Sequence, residues 1–335
     1  MNDDLIKTGR IVTVFGGSGF VGRHVVRALA KDGWRIRVAT RRPDLTFHLQ
    51  PLGRVGQIHA VQANVRYPAS IAAALKDADA VVNLVGIQTE KGRQTFEATH
   101  VFGARALARA AREAGIGNVV HISGIGVDAH SASAYVRSRA AGDAAIREAV
   151  PGAVILRPSV IFGPEDQFFN RFAAIARMSP VLPLFGGGDA KIQPVFVGDV
   201  AQAVAIALGG RATPGDAYEL GGPRVYTLRE LMQFICDTIG RKRILAPLPN
   251  AIGHYFALGT EIASTLSLGL FPKMLLVTRD QIKLMSMDNV VSGDAAAAGR
   301  TLEGLGIHPE AVESIAPTYL ARFRKTGQFE KPKLA

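Results

Sequence analysis

The segment Ile11 to Gly22, IVTVFGGSGFVG, constrains this chain more than any other: a short apolar run enters a glycine-rich turn, and RHVVRALAKDG follows. Val12 and Val14 read as a buried strand, while Val21, Val25, Val26 and Leu29 fall at helical spacing after the turn. A strand, a tight turn and a helix in that order offer an anion free backbone N–H groups and the positive end of a helix dipole. Gly16 and Gly19 remove Cβ atoms that would block the turn and a phosphate, and Gly22 lets the helix lie close on the sheet. Gly16, Gly17, Ser18, Gly19, Phe20, Val21 and Gly22 are therefore expected to wrap the pyrophosphate of a dinucleotide.

Strand and helix patterns continue to alternate. Arg35–Thr40 and Ile58–Gln62 read as strands, Ser70–Leu75 as a short helix and Ala80–Val85 as a buried strand. A long helix is expected from Thr95 to Ala114, stopped at Gly115, then a strand at Val119–Ser123, a helix at Ala134–Ala149 and a strand at Ala153–Leu156. This alternation predicts an α/β fold, a doubly wound parallel sheet with right-handed crossovers. After Arg157-Pro158 the pattern loosens. Residues 1–160 are expected to form the nucleotide-binding domain, with 194–210 returning to its sheet. Residues 161–193 and 211–335 would form a smaller, mainly helical C-terminal lobe for a substrate or partner. In that lobe Thr227 and Glu230 are spaced as a capping box.

Composition narrows the classes. With 48% apolar and 20% charged residues the chain is globular, and its single cysteine, Cys236, rules out an internal disulfide framework. The N-terminus MNDDLIKTGR has no apolar secretory core. The apolar stretch from Ala246 to Val277 is interrupted by Glu261 and Lys273, leaving eleven uncharged residues, whereas a spanning helix needs about 20. Its segment 252–276 reads as a packing face or lid, or as a membrane or partner surface. The formal charge of +11 is uneven: residues 1–60 hold ten Lys/Arg against four Asp/Glu. More cations follow at Arg241-Lys242-Arg243 and in the tail at Arg322, Arg324, Lys325, Lys331 and Lys333. Such a surface suits an anionic membrane or an acidic partner. No nucleic-acid-binding motif accompanies it, so nucleic acid is not expected as a partner.

The segments FGGSGFVG, NLVG, HISG, YVRSR, LRPSVIFGPED and VFVGDVAQAV together resemble an extended or atypical short-chain dehydrogenase/reductase with a Rossmann-type sheet. YELGGPRVYTLREL and LVTRDQIKLMSMDNVV narrow the resemblance to the nucleotide-binding accessory subunit of respiratory complex I and its bacterial relatives, over roughly residues 10–325. Strand two ends in Thr40-Arg41-Arg42, where an NAD-selective member would carry an acid for the ribose 2′-hydroxyl. Two guanidinium groups there suit a 2′-phosphate and hence NADP(H), unless both simply stand solvated after the strand. The resemblance implies adenine contacts from Asn64 and Val65, and main-chain contacts to phosphate and ribose from Leu84, Val85 and Gly86.

The resemblance also implies a catalytic tyrosine, lysine and serine, and here the set is degenerate. Tyr135 matches the tyrosine, Arg139 stands where lysine is expected, and Ser123 matches the first serine of the usual cluster. The reacting serine's position is Ile125. His100 and His121 read as satisfied core or cleft histidines rather than ligands, Asp199 as a structural cap, and no cluster has metal spacing. Two functions are compatible with this. One is an NADP(H)-holding subunit with a structural or assembly role in respiratory NADH:quinone oxidoreductase, cytoplasmic and peripheral on the cytoplasmic face of the inner membrane. The other is an NADPH-dependent reductase or epimerase acting on a quinone- or isoprenoid-like substrate; a membrane-linked accessory of quinone biosynthesis shares features with both.

Overall fold

The computed structural model describes residues 9–248, 253, 257, 259, 260, 278–325 and 327. They fall into two compact units. The first contains the chain to Pro158, then Val197–Leu220 and Val291–His308; the second contains Ser159–Phe196, Gly221–Val290 and the chain from Pro309.

The first unit is built on a parallel sheet of seven strands. Six are β1 (Ile11–Phe15), β2 (Arg35–Thr40), β3 (Ile58–Gln62), β4 (Ala80–Asn83), β5 (Asn118–Ile122) and β6 (Val154–Pro158). Across the sheet the order is Ala217–Leu220, β6, β5, β4, β1, β2, β3. Chain order therefore reverses direction between β1 and β4, and the crevice beyond their carboxyl ends is where open α/β sheets bind ligands. All four residues of β4 are buried, as expected of a strand covered on both faces. On one side α1 (Phe20–Lys31) packs along α6 (Val197–Leu208). On the other, α2 (Pro68–Leu75), α3 (Gly103–Glu113) and α4 (Ala134–Ala149) close a core in which Phe15, Ala39, Val81 and Val119 meet Leu107 and Ile146.

Three expectations are corrected. The helix expected over Thr95–Ala114 opens with a π turn at Glu97–Phe102, and only Gly103–Glu113 is α-helical. The wider turn holds His100 inward, stacked on Phe96 with ring centroids 5.4 Å apart. The strand Val195–Phe196 pairs with Ile161–Phe162 and does not join the main sheet, although α6 after it does belong to the first unit. Ala217–Leu220, placed in the C-terminal lobe by sequence, is instead the edge strand beside β6. Its Glu219 explains why residues 291–308 come with it: the carboxylate accepts the Ser292 N–H at 2.7 Å, and its own N–H donates to Arg300 O at 2.9 Å.

The second unit contains helices α5 (Phe169–Met178), α7 (Leu228–Thr238), Arg279–Met285 and Val312–Leu320, with three two-stranded ladders. The capping box forms: Glu230 N–H donates to Thr227 Oγ1, and Thr227 N–H to the Glu230 carboxylate. Phe162, Phe169, Leu182, Leu231, Ile235 and Tyr319 build its core, where Cys236 is buried. Asp166 ties that core together by accepting the Tyr319 hydroxyl at 2.6 Å and the N–H groups of Gly163 and Phe169. Most of the apolar segment 252–276, with Lys331 and Lys333 of the tail, lies outside the described residues. Among the described residues no helix is long and apolar enough to cross a membrane.

Gly22 sets how closely α1 approaches the turn. A Cβ there would stand 2.3 Å from Gly16 O and 2.5 Å from Gly17 C, both backbone atoms that cannot swing aside. Gly22→Ala is therefore expected to force turn and helix apart, costing about 1–3 kcal/mol as overpacking does. Urea unfolding measures this, and a variant as stable as the parent would show that the contact is not limiting.

Candidate functional site

The turn after β1 is built for an anion. Gly16 takes φ +81°, a left-handed conformation, and a Cβ on it would lie 3.1 Å from the Leu84 carbonyl carbon. The turn closes through Gly19 N–H to Gly16 O at 3.1 Å. No side chain caps the start of α1 and its first turn holds no acid, so its N-terminal N–H groups face no carboxylate of their own. Gly17 is buried under Val14 and Val38, Ser18 Oγ lies 3.5 Å from Thr40 Oγ1, and Phe20 packs edge-on to His24. Val21, half-buried, completes the first turn of the helix.

At the end of β2 the two arginines differ. Arg42 is held by Asp44: its Nη2 donates to Oδ2 at 2.9 Å and its Nε lies within 3.3 Å of both carboxylate oxygens. The pair is solvent-exposed. Hydrogen bonding to Arg42 holds the Asp44 carboxyl below its ordinary range. Arg41 is exposed and makes no side-chain hydrogen bond or ion pair with a described residue. A 2′-phosphate would meet one free cation in Arg41 and one already engaged.

Asn64 turns its Oδ1 back onto Arg66 N–H at 3.1 Å, which leaves its Nδ2 as the group available to a base. Val65 sends its side chain into the core, so only its main chain is open. Leu84 and Val85 are half-buried and Gly86 is exposed. A Cβ on Gly86 would stand 3.3 Å from Arg139 Nη1.

Behind that loop runs a buried polar chain that sequence reasoning missed. Asn83 Oδ1 accepts Val85 N–H at 3.1 Å, so its Nδ2 must be the donor to His121 Nδ1 at 3.0 Å. His121 then carries its proton on Nε2, 3.6 Å from Asp143 Oδ1, while Asp143 Oδ2 accepts Nε and Nη2 of Arg157 at 3.2 and 2.9 Å. The signals in the sequence were an asparagine inside the apolar strand AVVNLV, and an aspartate one helical turn after Arg139.

The structure gathers Tyr135, Arg139, Ser123 and His100 at the ends of β4 and β5. Ser133 caps α4, accepting Val136 N–H, and thereby sets the phase of Tyr135, Ser138 and Arg139. Arg139 is 7% exposed; its Nη2 donates to Ile122 O at 3.0 Å and Ser123 O at 2.9 Å. Its guanidinium carbon lies 5.9 Å from the Tyr135 ring centre, and its Nε is buried without a hydrogen-bond partner among the described residues. Ser123 is 4% exposed, and its Oγ likewise has none. His100 Nε2 accepts Ile87 N–H at 3.0 Å, so Nδ1 carries the proton to Ser138 Oγ at 2.8 Å, and Ser138 donates onward to Tyr135 O at 2.7 Å. Both histidines are thus bonded within the fold, and among the described residues no three His, Cys, Asp or Glu side chains are grouped for a metal.

Fold and site together define a dinucleotide-binding protein of the Rossmann type. The chain belongs to the NAD dependent epimerase/dehydratase family, whose model matches residues 12–221. It is 33% identical over 323 residues to the mitochondrial NADH dehydrogenase (ubiquinone) 1 alpha subcomplex subunit 9 of Arabidopsis thaliana, covering 96% of this chain and 79% of that one. It is also 34% identical over 242 residues to a ceramide reductase of Caulobacter vibrioides, covering 72% of this chain and 74% of that one. Among solved structures, the UDP-glucose 4-epimerase of Thermotoga maritima superposes with a TM-score of 0.67 at 17% identity, over 94% of this chain and 99% of that one, a likeness of fold. The cradle left by Gly16 and Gly22 and the uncapped start of α1 fit the nicotinamide dinucleotide that the family uses.

Burial, with Arg139 adding repulsion, draws His100 down to about 3. Burial also draws His121 down to about 4, Asp143 pulling against it and Arg139 with it. Both are neutral when folded, whereas a free histidine titrates near 6.5. The unfolded chain therefore binds more protons below that pH. Stability is full above about 6.5 and falls on acidification until each folded pKa is passed, by about 1.4 kcal/mol per pH unit per histidine. Urea unfolding between pH 7 and 5 should show a shallower loss for His121→Gln than for the parent. Equal slopes would remove His121 from the account.

Proposed function

We propose that this chain holds NADP(H) as a structural cofactor and serves as an accessory subunit of a respiratory NADH:quinone oxidoreductase, without turnover of its own. The observation that carries this reading is the state of Arg139. The guanidinium stands where a lysine ammonium would hold the ribose and lower the tyrosine pKa, and its Nη2 is turned onto Ile122 O and Ser123 O. Ile125 offers no hydroxyl to fix a carbonyl. When bound, the nicotinamide ring supplies a centre for hydride transfer. This chain's own residues bind and orient it: Gly16 to Gly22 at the pyrophosphate, Arg41 and Arg42 at the 2′-phosphate, Asn64 and Val65 at adenine, and Leu84, Val85 and Gly86 along the ribose and phosphates, with Tyr135 and Arg139 beside the ring. Bound cofactor would stabilise the folded state by mass action. The subunit role is supported by relatives named as mitochondrial NADH dehydrogenase subunits, and a peripheral place on the cytoplasmic face of the inner membrane is proposed with it.

A second reading has its own support. Tyr135 is retained, and the ceramide reductase relative is an enzyme named for a lipid substrate. It makes the chain an NADPH-dependent reductase of an apolar carbonyl compound.

Two measurements separate the possibilities. Calorimetry should show NADPH binding more tightly than NADH, with Arg41→Ala weakening NADPH by about tenfold or more and NADH little. Asp44→Asn, which frees Arg42, should widen the preference. Equal affinities in the parent would remove NADP(H) from the proposal. In steady state, oxidation of NADPH with quinones, long-chain ketones or ceramide precursors should be negligible, and Arg139→Lys alone should not restore it. Rapid consumption that disappears in Tyr135→Phe would establish the reductase instead.

A further inference from the structure

At the amino ends of β2 and β3, away from the carboxyl ends that form the dinucleotide crevice, lies a hollow of about 470 Å³ in the first unit. The end of α1 and the chain leading into β3 form its walls. Gln57 fixes them, donating to Ala30 O at 2.8 Å and Trp34 O at 2.9 Å while its Oε1 accepts Arg54 N–H at 2.9 Å. The apolar part of its lining comes from Ala30, Leu52 and Val55, and Val55 is fully exposed.

Three cations, Lys31, Arg35 and Arg54, line the same hollow, and among the described residues no carboxylate does. All three are exposed, and none makes a side-chain hydrogen bond or ion pair with a described residue. Asp32, next to Lys31 in sequence, has an electrostatic partner in Arg211. The last carbonyls of α1 are left negative by the helix dipole. Any anion drawn here is therefore held by the three side chains.

We propose that this hollow seats the headgroup of an anionic phospholipid, making this edge of the first unit a membrane-docking surface. Charge complementarity selects the anion. The uncovered Val55, with half-buried Leu52 beside it, selects an amphiphile over free phosphate, because a bare anion would leave that apolar surface wet. This surface lies at the opposite ends of the strands from the dinucleotide cradle, and the proposal holds whether or not the cradle is loaded with NADP(H).

The test is flotation of the full-length protein with vesicles of phosphatidylcholine alone or doped with phosphatidylglycerol. Binding is expected only to the doped vesicles, weaker at high salt because screening shortens the reach of surface charge. Each cation lost should reduce the partition coefficient by about fivefold. The combined Lys31→Gln, Arg35→Gln and Arg54→Gln variant should thus lose nearly all binding, while its affinity for the dinucleotide stays that of the parent, which also shows that it folds. Val55→Ser should weaken binding a few-fold with the charge unchanged. Removal of residues 321–335 should leave most of the binding in place. The proposal is overturned if the parent ignores doped vesicles, if the triple variant floats like the parent, if tail removal alone abolishes binding, or if inorganic phosphate displaces the protein at equal ionic strength.

Discussion

Everything at the carboxyl edge of the sheet depends on how near α1 comes to the turn that precedes it. With no side chain at Gly22, the helix begins against the Gly16 and Gly17 backbone. Its uncapped N–H groups then open beside Leu84, the residue where β4 ends its ladder against Phe15 O. Two loops from strands far apart in sequence thereby share one crevice. Ser18 in that turn lies 3.5 Å, Oγ to Oγ1, from Thr40 at the end of β2, just before Arg41 and Arg42.

The second organising influence is electrostatic. Arg139 is a buried cation whose Nη2 donates to two carbonyl oxygens, and its field helps keep His100 and His121 neutral. A neutral His121 can accept from Asn83, which in turn holds Val85. The loop expected to meet phosphate and ribose is thus set from behind by residues that touch no ligand. A lysine ammonium could also donate to two carbonyl oxygens from one nitrogen, but as a compact charge on a flexible stem and without the planar guanidinium's fixed geometry.

The first half of the fold was legible because its periodicities are local and clean. Arg35–Thr40, Ile58–Gln62 and Ala134–Ala149 fall where their apolar spacing puts them. The failures share a cause. Whether Ala217–Leu220 pairs with β6 is decided by a partner more than fifty residues away, and whether 291–308 joins it is decided by Glu219. Neither leaves a mark in a window of ten residues. The π turn at Glu97–Phe102 was equally hidden, since its period differs from an α-helix by less than an apolar pattern can resolve. In the site, the reading of Arg139 came from its spacing four residues after Tyr135, and that of Ile125 from its place two residues after Ser123. The Asp44 carboxylate on Arg42 was not, although the two lie two residues apart.

The discontinuity of the first unit also bears on how the chain is made. Six of its seven strands lie within the first 158 residues, so they can pair as they leave the ribosome. Until Ala217–Leu220 arrives, β6 presents a row of open N–H and C=O groups, and a parallel edge of that kind invites pairing with another chain. Closing it requires synthesis to pass through Ser159–Phe196 of the second unit, and anchoring the closing strand waits for Ser292. The nascent protein therefore spends a defined interval with β6 open as a second edge besides β3, during which a chaperone that covers strand edges would protect it from pairing with another chain.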